Sequence, residues 1–374
     1  MIKEVIFLCS GDSCSARTWS NVPYLFTQEL ERRGIIVRRV NVEPPNRLRQ
    51  LYNHSVWKLS RYIWRNNEFS FIRTKLARYL SDRKARYGIE KYPHADLCIF
   101  VSFGQYNKWS SIPSLCFSDW TFKLLVERQG RTPYSFERKY YQIEDKTINS
   151  ANYVVSLFRD CALRMKKDYP FANIYGFSTN VINNMYGKPL IENYILKKKN
   201  DANKILFIGN KWYKESLRLL IKAFLILKDQ IEDLKLVVIG MTKDHTGIED
   251  SRIKYHGYLQ KDIEAERDTY YEELMSAKMI VNVAPTWGGY SSLIEAMYFY
   301  TPVIVAPYKE FVAEFGEEIN FGVYNKEFSS QCLADNISIL LQNNEYEKMC
   351  KAAHQRVENY TWLEFVNNIL EIVK

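Results

Sequence analysis

Short runs of β-branched and aliphatic residues alternate with helix-period segments along the whole 374-residue chain, and this alternation restricts the fold more than any single motif. Strands interleaved with helices build parallel sheets, because two neighbouring parallel strands need a long crossover connection, usually a helix. In the first half, strands are expected near residues 5–9, 35–40, 97–102, 114–117, 153–156 and 174–177. The pattern restarts at 204–208 and continues through 236–239, 253–256, 279–283 and 303–305. An α/β protein of two Rossmann-like domains follows. The first is expected over 1–186 and the second over 204–360, joined by a linker over 187–203 that holds Pro189 and the run Lys197-Lys198-Lys199-Asn200. Open α/β sheets bind ligands outside the carboxyl ends of their strands, so two such sheets are expected to face a central cleft that holds the site.

The chain carries 52 Lys and Arg against 43 Asp and Glu, a net charge of +9. That excess is confined to one stretch, Asn46 to Tyr92, where twelve cations meet Glu68, Asp82 and Glu90. Trp57, Tyr62, Trp64, Phe69, Phe71, Tyr79 and Tyr87 are interleaved with the cations, and Ile72, Leu76, Tyr79 and Leu80 recur at helical spacing. A basic amphipathic helix rich in aromatics suits an anionic membrane surface, with Arg73, Arg78, Arg83 and Lys84 expected to face it. The competing reading is a pair of ordinary helices whose aromatics enter the core and whose arginines are solvated. No zinc finger, ribonucleoprotein signature or basic zipper accompanies the patch, so nucleic acid is not the expected partner.

No run approaches the roughly 20 apolar residues that span a bilayer, and the opening Met-Ile-Lys-Glu-Val reads as a first strand rather than a signal peptide. A cytoplasmic protein, peripheral at the inner membrane face, is the expectation. The seven cysteines (Cys9, Cys14, Cys98, Cys116, Cys161, Cys332, Cys350) are scattered without a Cys-x-x-Cys pair, which argues against a disulfide framework or zinc site and for small buried hydrophobes. The five histidines have no metal-ligand spacing, and no Asp-x-Asp occurs.

Residues 279–306, MIVNVAPTWGGYSSLIEAMYFYTPVIVA, read as a strand, a loop with Gly288-Gly289, Tyr290 and Ser291-Ser292, a helix holding Glu295, then Thr-Pro and another strand. A Gly- and Ser-rich loop at a helix N-terminus presents free backbone N–H groups and the positive end of the helix dipole, which suits a diphosphate. A buried carboxylate just inside that helix suits two ribose hydroxyls. Residues 204–224, KILFIGNKWYKESLRLLIKAF, have the same strand, loop and helix order.

At these residues the chain resembles the retaining family 4 glycosyltransferases of the GT-B fold. GGYSSLIEAM and TPVIVA are similar to that family's glycine loop, Glu-Ala-Met helix and Thr-Pro-Val strand, 204–224 to its phosphate loop, and Tyr360-Thr361-Trp362 to the motif opening its last helix, 361–374, which returns to the first domain. The resemblance implies that Glu295 binds the nucleotide ribose and that Gly209, Lys211, Gly288, Gly289, Tyr290, Ser291 and Ser292 hold the donor. Trp287 stands where the family's first glutamate contacts the donor sugar, Asn210 takes the place of its phosphate-loop arginine, and Lys214 lies one residue before its lysine. Lys214 and Asp119, the latter in IPSLCFSDWTF, are the expected catalytic residues. Ser10-Gly11-Asp12-Ser13 replaces the usual acceptor loop, so Gly11 and Asp12 are expected at the acceptor, and Phe177-Ser178-Thr179-Asn180 resembles the turn toward the linker. Asp119 has a second reading as the cap of the helix that follows it.

The implied activity is transfer of a hexose-type sugar from a nucleotide-sugar, without a metal or cofactor, to a glycan or lipid-linked acceptor during surface-glycan assembly. The alternative, motivated by Trp287, is a catalytically weak GT-B scaffold or partner subunit.

Overall fold

The structure, a computed structural model, describes residues 2–63, 71–177, 181–285 and 290–374. The chain divides into two compact units: Met1–Thr179 with Trp362–Lys374, and Asn180–Thr361. Expectations at Trp64, Phe69, Ser178, Thr179, Asn180, Trp287, Gly288 and Gly289, and at the side chain of Trp57, lie outside the described residues.

The first unit is built on β1 (Glu4–Cys9), β2 (Ile36–Asn41), β3 (Leu97–Phe100), β4 (Ser114–Ser118), β5 (Tyr153–Ser156) and β6 (Ile174–Gly176). They form one six-stranded parallel sheet in the order β2-β1-β3-β4-β5-β6. Strands covered by helices on both faces read as near-continuous apolar runs, as Val5–Leu8 and Leu97–Phe100 do, all buried. The second unit carries β7 (Lys204–Ile208), β8 (Lys235–Ile239), β9 (Ile253–Gly257), β10 (Met279–Asn282), β11 (Val303–Val305) and β12 (Gly322–Tyr324), again all parallel, in the order β12-β11-β10-β7-β8-β9. Strand β12 is not among the expected strands: three residues opened by a glycine give no alternating pattern to read.

Each sheet reverses direction once. In the first, the chain starts at β1, visits β2 and returns to β3 on the other side of β1; in the second, it runs β7, β8, β9 and returns to β10 beside β7. The two switch points therefore lie between β1 and β3 and between β7 and β10, where the loops leaving adjacent strands part in opposite directions and open a crevice.

In the first unit's core, Phe26 meets Phe7, Phe117, Trp362 and Phe365 with ring centroids 5.4–5.7 Å apart. Trp362 and Phe365 bring the C-terminal helix Trp362–Ile372 into this unit, and Arg33 bonds the Leu363 carbonyl from the end of the Val22–Arg32 helix. Cys9, Cys98, Cys116, Cys161 and Cys350 are buried free thiols, while Cys14 is exposed.

The segment read as a linker over 187–203 is instead largely a helix, Glu192–Asn200, packed in the second unit. Its lysine run signals solvent, but Lys199 is fully buried and donates to the carbonyls of Leu274 (3.0 Å) and Ala277 (2.9 Å) and to Thr301 Oγ1 (2.7 Å). It thus satisfies carbonyls at the end of the Glu264–Ser276 helix.

Burial pushes the Lys199 ammonium down to about 7. The unfolded chain keeps that proton to near 10.4, so between the two values it binds more protons than the folded chain and stability rises with pH. The urea midpoint is expected to climb from about pH 7 toward pH 10 through this group, and Lys199→Met is expected to flatten the climb.

Candidate functional site

The second unit's switch point is flanked by the loops that leave β7 and β10. After β7, Gly209 abuts Gly240, whose backbone has φ +93° and whose missing Cβ would sit 2.4 Å from the Gly209 carbonyl; this close approach allows no side chain at 240. Asn210 accepts the Trp212 N–H through its side chain (3.0 Å) and starts a tight turn over Lys211–Tyr213, from which the helix Lys214–Leu227 springs. No side chain caps this helix. Lys211 is exposed, Lys214 is half-buried, and among the described residues neither makes an ion pair, which leaves two cations at an uncapped helix N-terminus.

Strand β10 is tied to that helix. Ser216 Oγ donates to Asn282 Oδ1 (3.2 Å) and accepts the Val283 N–H (2.9 Å), with Ser216 and Asn282 both buried. The first turn of that helix is thereby tied to the end of β10. The next described residues open the helix Ser291–Tyr298, which also lacks a side-chain cap; Ser291 and Ser292 are half-buried in its first turn. The Tyr290 ring, expected at the donor, is buried against Phe311 and Phe315, each 5.7 Å away.

Glu295 also departs from expectation. It is 3% exposed, and its carboxylate is satisfied by the protein itself. Oε1 accepts from Lys261 Nζ (2.6 Å) and Tyr271 (3.1 Å), and Oε2 from Lys261 Nζ (2.7 Å) and Tyr270 (2.8 Å). Four bonds fill the acceptor capacity of a carboxylate, so none is open to a ribose in this arrangement. The cluster reaches further: Lys261 Nζ also donates to the Asn183 carbonyl (3.1 Å), and the Tyr271 hydroxyl accepts the Met185 N–H (2.6 Å). Burial and the adjacent Glu295 charge push both tyrosine hydroxyls well above their ordinary range, which keeps them protonated as donors. Burial lowers the Lys261 pKa, opposed by Glu295. Lys261, Tyr270 and Tyr271 are absent from the expected site; a lone lysine in a loop and two tyrosines in a helix carry no spacing that pairs them with a glutamate over 20 residues on.

In the first unit the switch point is flanked by the loops after β1 and β3. Gly11 has φ +106° and donates its N–H to Asn41 Oδ1 (3.1 Å). Exposed Asp12 accepts the Cys14 N–H (2.8 Å) and turns the loop. Trp19, Ser20 and Asn21 follow in left-handed backbone, a costly conformation of about 1–3 kcal/mol per residue, with Trp19 held against Phe117 at 5.8 Å.

Asp119 is not the cap of the next helix. Thr121 caps Phe122–Arg128 by accepting the Leu124 N–H (3.1 Å), and buried Glu144 receives the Phe122 N–H. The Asp119 carboxylate accepts from its neighbours, the Trp120 N–H (2.8 Å) and the Ser118 hydroxyl (3.3 Å), and burial pushes it above the ordinary range.

The expected membrane-facing cations require correction. Arg73 turns inward to Glu137 (3.3 Å) and lies 3.9 Å over the Phe122 ring; Arg78 bonds the Gly104 carbonyl; Lys84 bonds the Glu43 carbonyl. Only Arg83 of the four is exposed. Phe71 is buried against Tyr52, but Ile72, Leu76, Tyr79 and Tyr87 are exposed along the Lys75–Lys91 helix and the turn before it, as are Leu59, Tyr62 and Ile63 on the Val56–Ile63 helix. The face matches each sequence reading only in part: many of its apolar side chains are outside, Arg73 and Arg78 turn inward, and Arg47, Arg49, Arg83 and Arg86 are exposed.

Two doubly wound parallel sheets in one chain, with loop-lined switch points, form the GT-B architecture. The second unit supplies the family resemblance in detail, since residues 192–357 match the family model described as Glycosyl transferases group 1. No curated protein sequence matches the chain. Among solved structures, WaaG, a glycosyltransferase involved in lipopolysaccharide biosynthesis, is similar with a TM-score of 0.66 and 13% identity over 99% of both chains. Anabaena Alr3699/HepE, solved with UDP and glucose, gives 0.62 and 14% identity over 100% of this chain and 99% of that one. A mutant of S. aureus TarM, solved with fondaparinux, alpha-GlcNAc-glycerol and UDP, gives 0.56 and 17% identity over 79% of this chain. The matched region spans only 59% of the TarM chain. At these identities the likeness establishes the fold.

Removing one member of a buried ion pair strands the other. Glu295→Ala, and separately Lys261→Ala, is expected to cost about 3–5 kcal/mol in urea denaturation. A loss below about 1 kcal/mol would mean that the carboxylate is a surface group held for a ligand.

Proposed function

We propose that the chain is a retaining, metal-independent hexosyltransferase that takes a UDP-sugar on its second unit and a glycan or lipid-linked acceptor on its first, at the cytoplasmic face of an anionic membrane. The observation that carries this reading is the second unit's switch point, where two helices without side-chain caps start after β7 and β10, the first of them tied to the end of β10 through Ser216 and Asn282, beside Lys211 and Lys214, cations with no ion-pair partner among the described residues. Such a site suits a diphosphate leaving group: backbone amides of Ser291 and Ser292 and the two ammonium groups neutralise the charge that develops as the bond to the anomeric carbon breaks. UDP is the nucleotide held by two proteins of this fold, one of them together with glucose, which supports a UDP-hexose donor. WaaG supports a place in surface-glycan assembly.

On the first unit, Gly11 and Asp12 at the β1 end contact the acceptor. Asp119, whose raised pKa brings proton exchange nearer neutrality, orients the acceptor hydroxyl as its oxygen bonds the anomeric carbon. The exposed row Ile72, Leu76, Tyr79 and Tyr87 with Arg83 rests at the headgroup level of the bilayer. Among the described residues no helix is long and apolar enough to cross a membrane.

A second reading, a catalytically weak GT-B scaffold, is favoured by one observation: Glu295 is committed to Lys261 and two tyrosines, and Trp287 replaces the other glutamate. Acceptor-dependent release of UDP from a UDP-hexose separates the two.

UDP is expected to raise the Tm far more than UMP. Lys211→Ala with Lys214→Ala is expected to weaken UDP roughly ten- to hundredfold, the effect of losing a charge-assisted bond of about 1.5–3 kcal/mol. No stabilisation by any nucleoside diphosphate would remove the donor site. Leu76→Ser with Tyr79→Ser is expected to lower flotation with anionic vesicles at every salt concentration, whereas Arg83→Gln is expected to matter only at low salt. Unchanged flotation in the first variant would take the membrane away from this face.

A further inference from the structure

The first unit holds a basic cavity that the donor and acceptor assignments leave without a purpose. It has a volume of about 320 Å³ and lies between the start of the Lys75–Lys91 helix, the loop after β3 and the Ser135–Ser150 helix. Arg78, Lys108, Lys139 and Lys146 line it, with Gln142 and Tyr106 between them. Lys139, Gln142 and Lys146 lie at positions i, i+3 and i+7, which places them on one face of their helix, and all three are exposed. Arg78 is fixed by its bond to the Gly104 carbonyl and Lys108 by Asp82 (2.6 Å).

Like charges gathered in this way repel one another, and folding supplies little to offset them. Lys75 stands against Lys139 and depresses the pKa of its ammonium. Asp82 is the one carboxylate in ion-pair contact with the five cations among the described residues, and it is shared by Arg78 and Lys108. Lys139 and Lys146 make no ion pair among the described residues. Fold stability gives no reason to keep this arrangement; an oxyanion with several acceptor oxygens does. A phosphate accepts from several donors at once and carries up to two charges near neutral pH.

The cavity's position narrows the source of the phosphate. Around the Lys75–Lys91 helix, at about 100° per residue, Lys75 and Arg78 border the stripe of Leu76 and Tyr79. That stripe is exposed, with Tyr79 at 64% and Ile72 at 58%. The cationic cavity thus opens beside an apolar strip rather than amid polar surface.

We propose that this cavity binds the phosphate headgroup of a membrane amphiphile, whose chains lie in the bilayer against Ile72, Leu76 and Tyr79. The assignment rests on the membrane reading above and adds a specific headgroup to it. The test is flotation of the full chain with phosphatidylcholine vesicles containing phosphatidic acid or, at matched surface charge, phosphatidylserine. The wild-type chain is expected to prefer phosphatidic acid, whose phosphomonoester exposes more oxygens. Lys139→Glu with Lys146→Glu is expected to abolish the preference and to weaken binding to phosphatidic acid vesicles about thirtyfold or more, since each cation near an anionic surface counts for roughly a factor of five. Both residues are exposed on a helix surface, and an unchanged Tm verifies the fold of the variant. Undiminished, phosphatidic-acid-selective binding by the variant overturns the cavity assignment while leaving the membrane reading intact. Failure of the wild type to float with any vesicle sinks the membrane reading, and if glycerol phosphate then stabilises the wild type but not the variant, the cavity serves a soluble phosphate and the lipid assignment is wrong.

Discussion

A carboxylate removed from water must be matched, and much of the second unit is arranged around one such match. Glu295 and Lys261 meet at 2.6–2.7 Å with two tyrosine hydroxyls closing the remaining acceptor positions. Isolated, either charge would carry a desolvation penalty of several kcal/mol; together, with every polar atom bonded, they hold four separate stretches in register. Those stretches are the loop after β9, the Glu264–Ser276 helix, the Ser291–Tyr298 helix and the segment at Asn183 and Met185 where the chain enters this unit. The Ser291–Tyr298 helix is therefore anchored from within by its fifth residue.

On the proposed reading, that anchoring lets a donor site survive substitutions that look severe in the sequence. Recognition of a diphosphate needs little side-chain identity: amides at uncapped helix starts and a nearby cation suffice. The backbone contributions stay wherever β7, β10 and their helices stay, and the Ser216–Asn282–Val283 bonds hold the first turn of the helix after β7 to the end of β10. The first unit shows the same logic at its own switch point, where Gly11 and Asp12 form a tight turn and Trp19, Ser20 and Asn21 hold a strained backbone beside it. In both units the candidate sites lie at strand ends because that is where a doubly wound sheet leaves a crevice.

The sheet architecture was legible because parallel strands buried on both faces write themselves as apolar runs; Val5–Leu8, Ile205–Phe207 and Met279–Val281 are unmistakable, and β12 escaped because three residues carry no period. Side-chain direction was not legible. The lysine run at 197–199 reads as solvent, yet Lys199 faces the core because carbonyls at a helix end need a donor there. Arg73 counts toward a basic patch in composition, but its partner Glu137 lies 64 residues away. Glu295 lies where the motif puts it; what the motif does not convey is that Lys261, 34 residues earlier, already occupies it. The basic cavity was partly visible: Arg78 falls within the cationic stretch, whereas Lys108, Lys139 and Lys146 reach it only through the fold.

On this view Glu295 is an internal anchor, and the nucleotide is held by amides and lysines instead. Calorimetric titration of UDP into a Lys261→Met, Glu295→Gln chain tests this most directly, because the pair of changes removes both charges while leaving an acceptor for the tyrosine hydroxyls. A folded variant that binds UDP within a few-fold of the wild type is the expected result. A variant equally well folded but with UDP affinity reduced by about thirtyfold, the equivalent of roughly 2 kcal/mol, would return the ribose to Glu295 and contradict the anchor role.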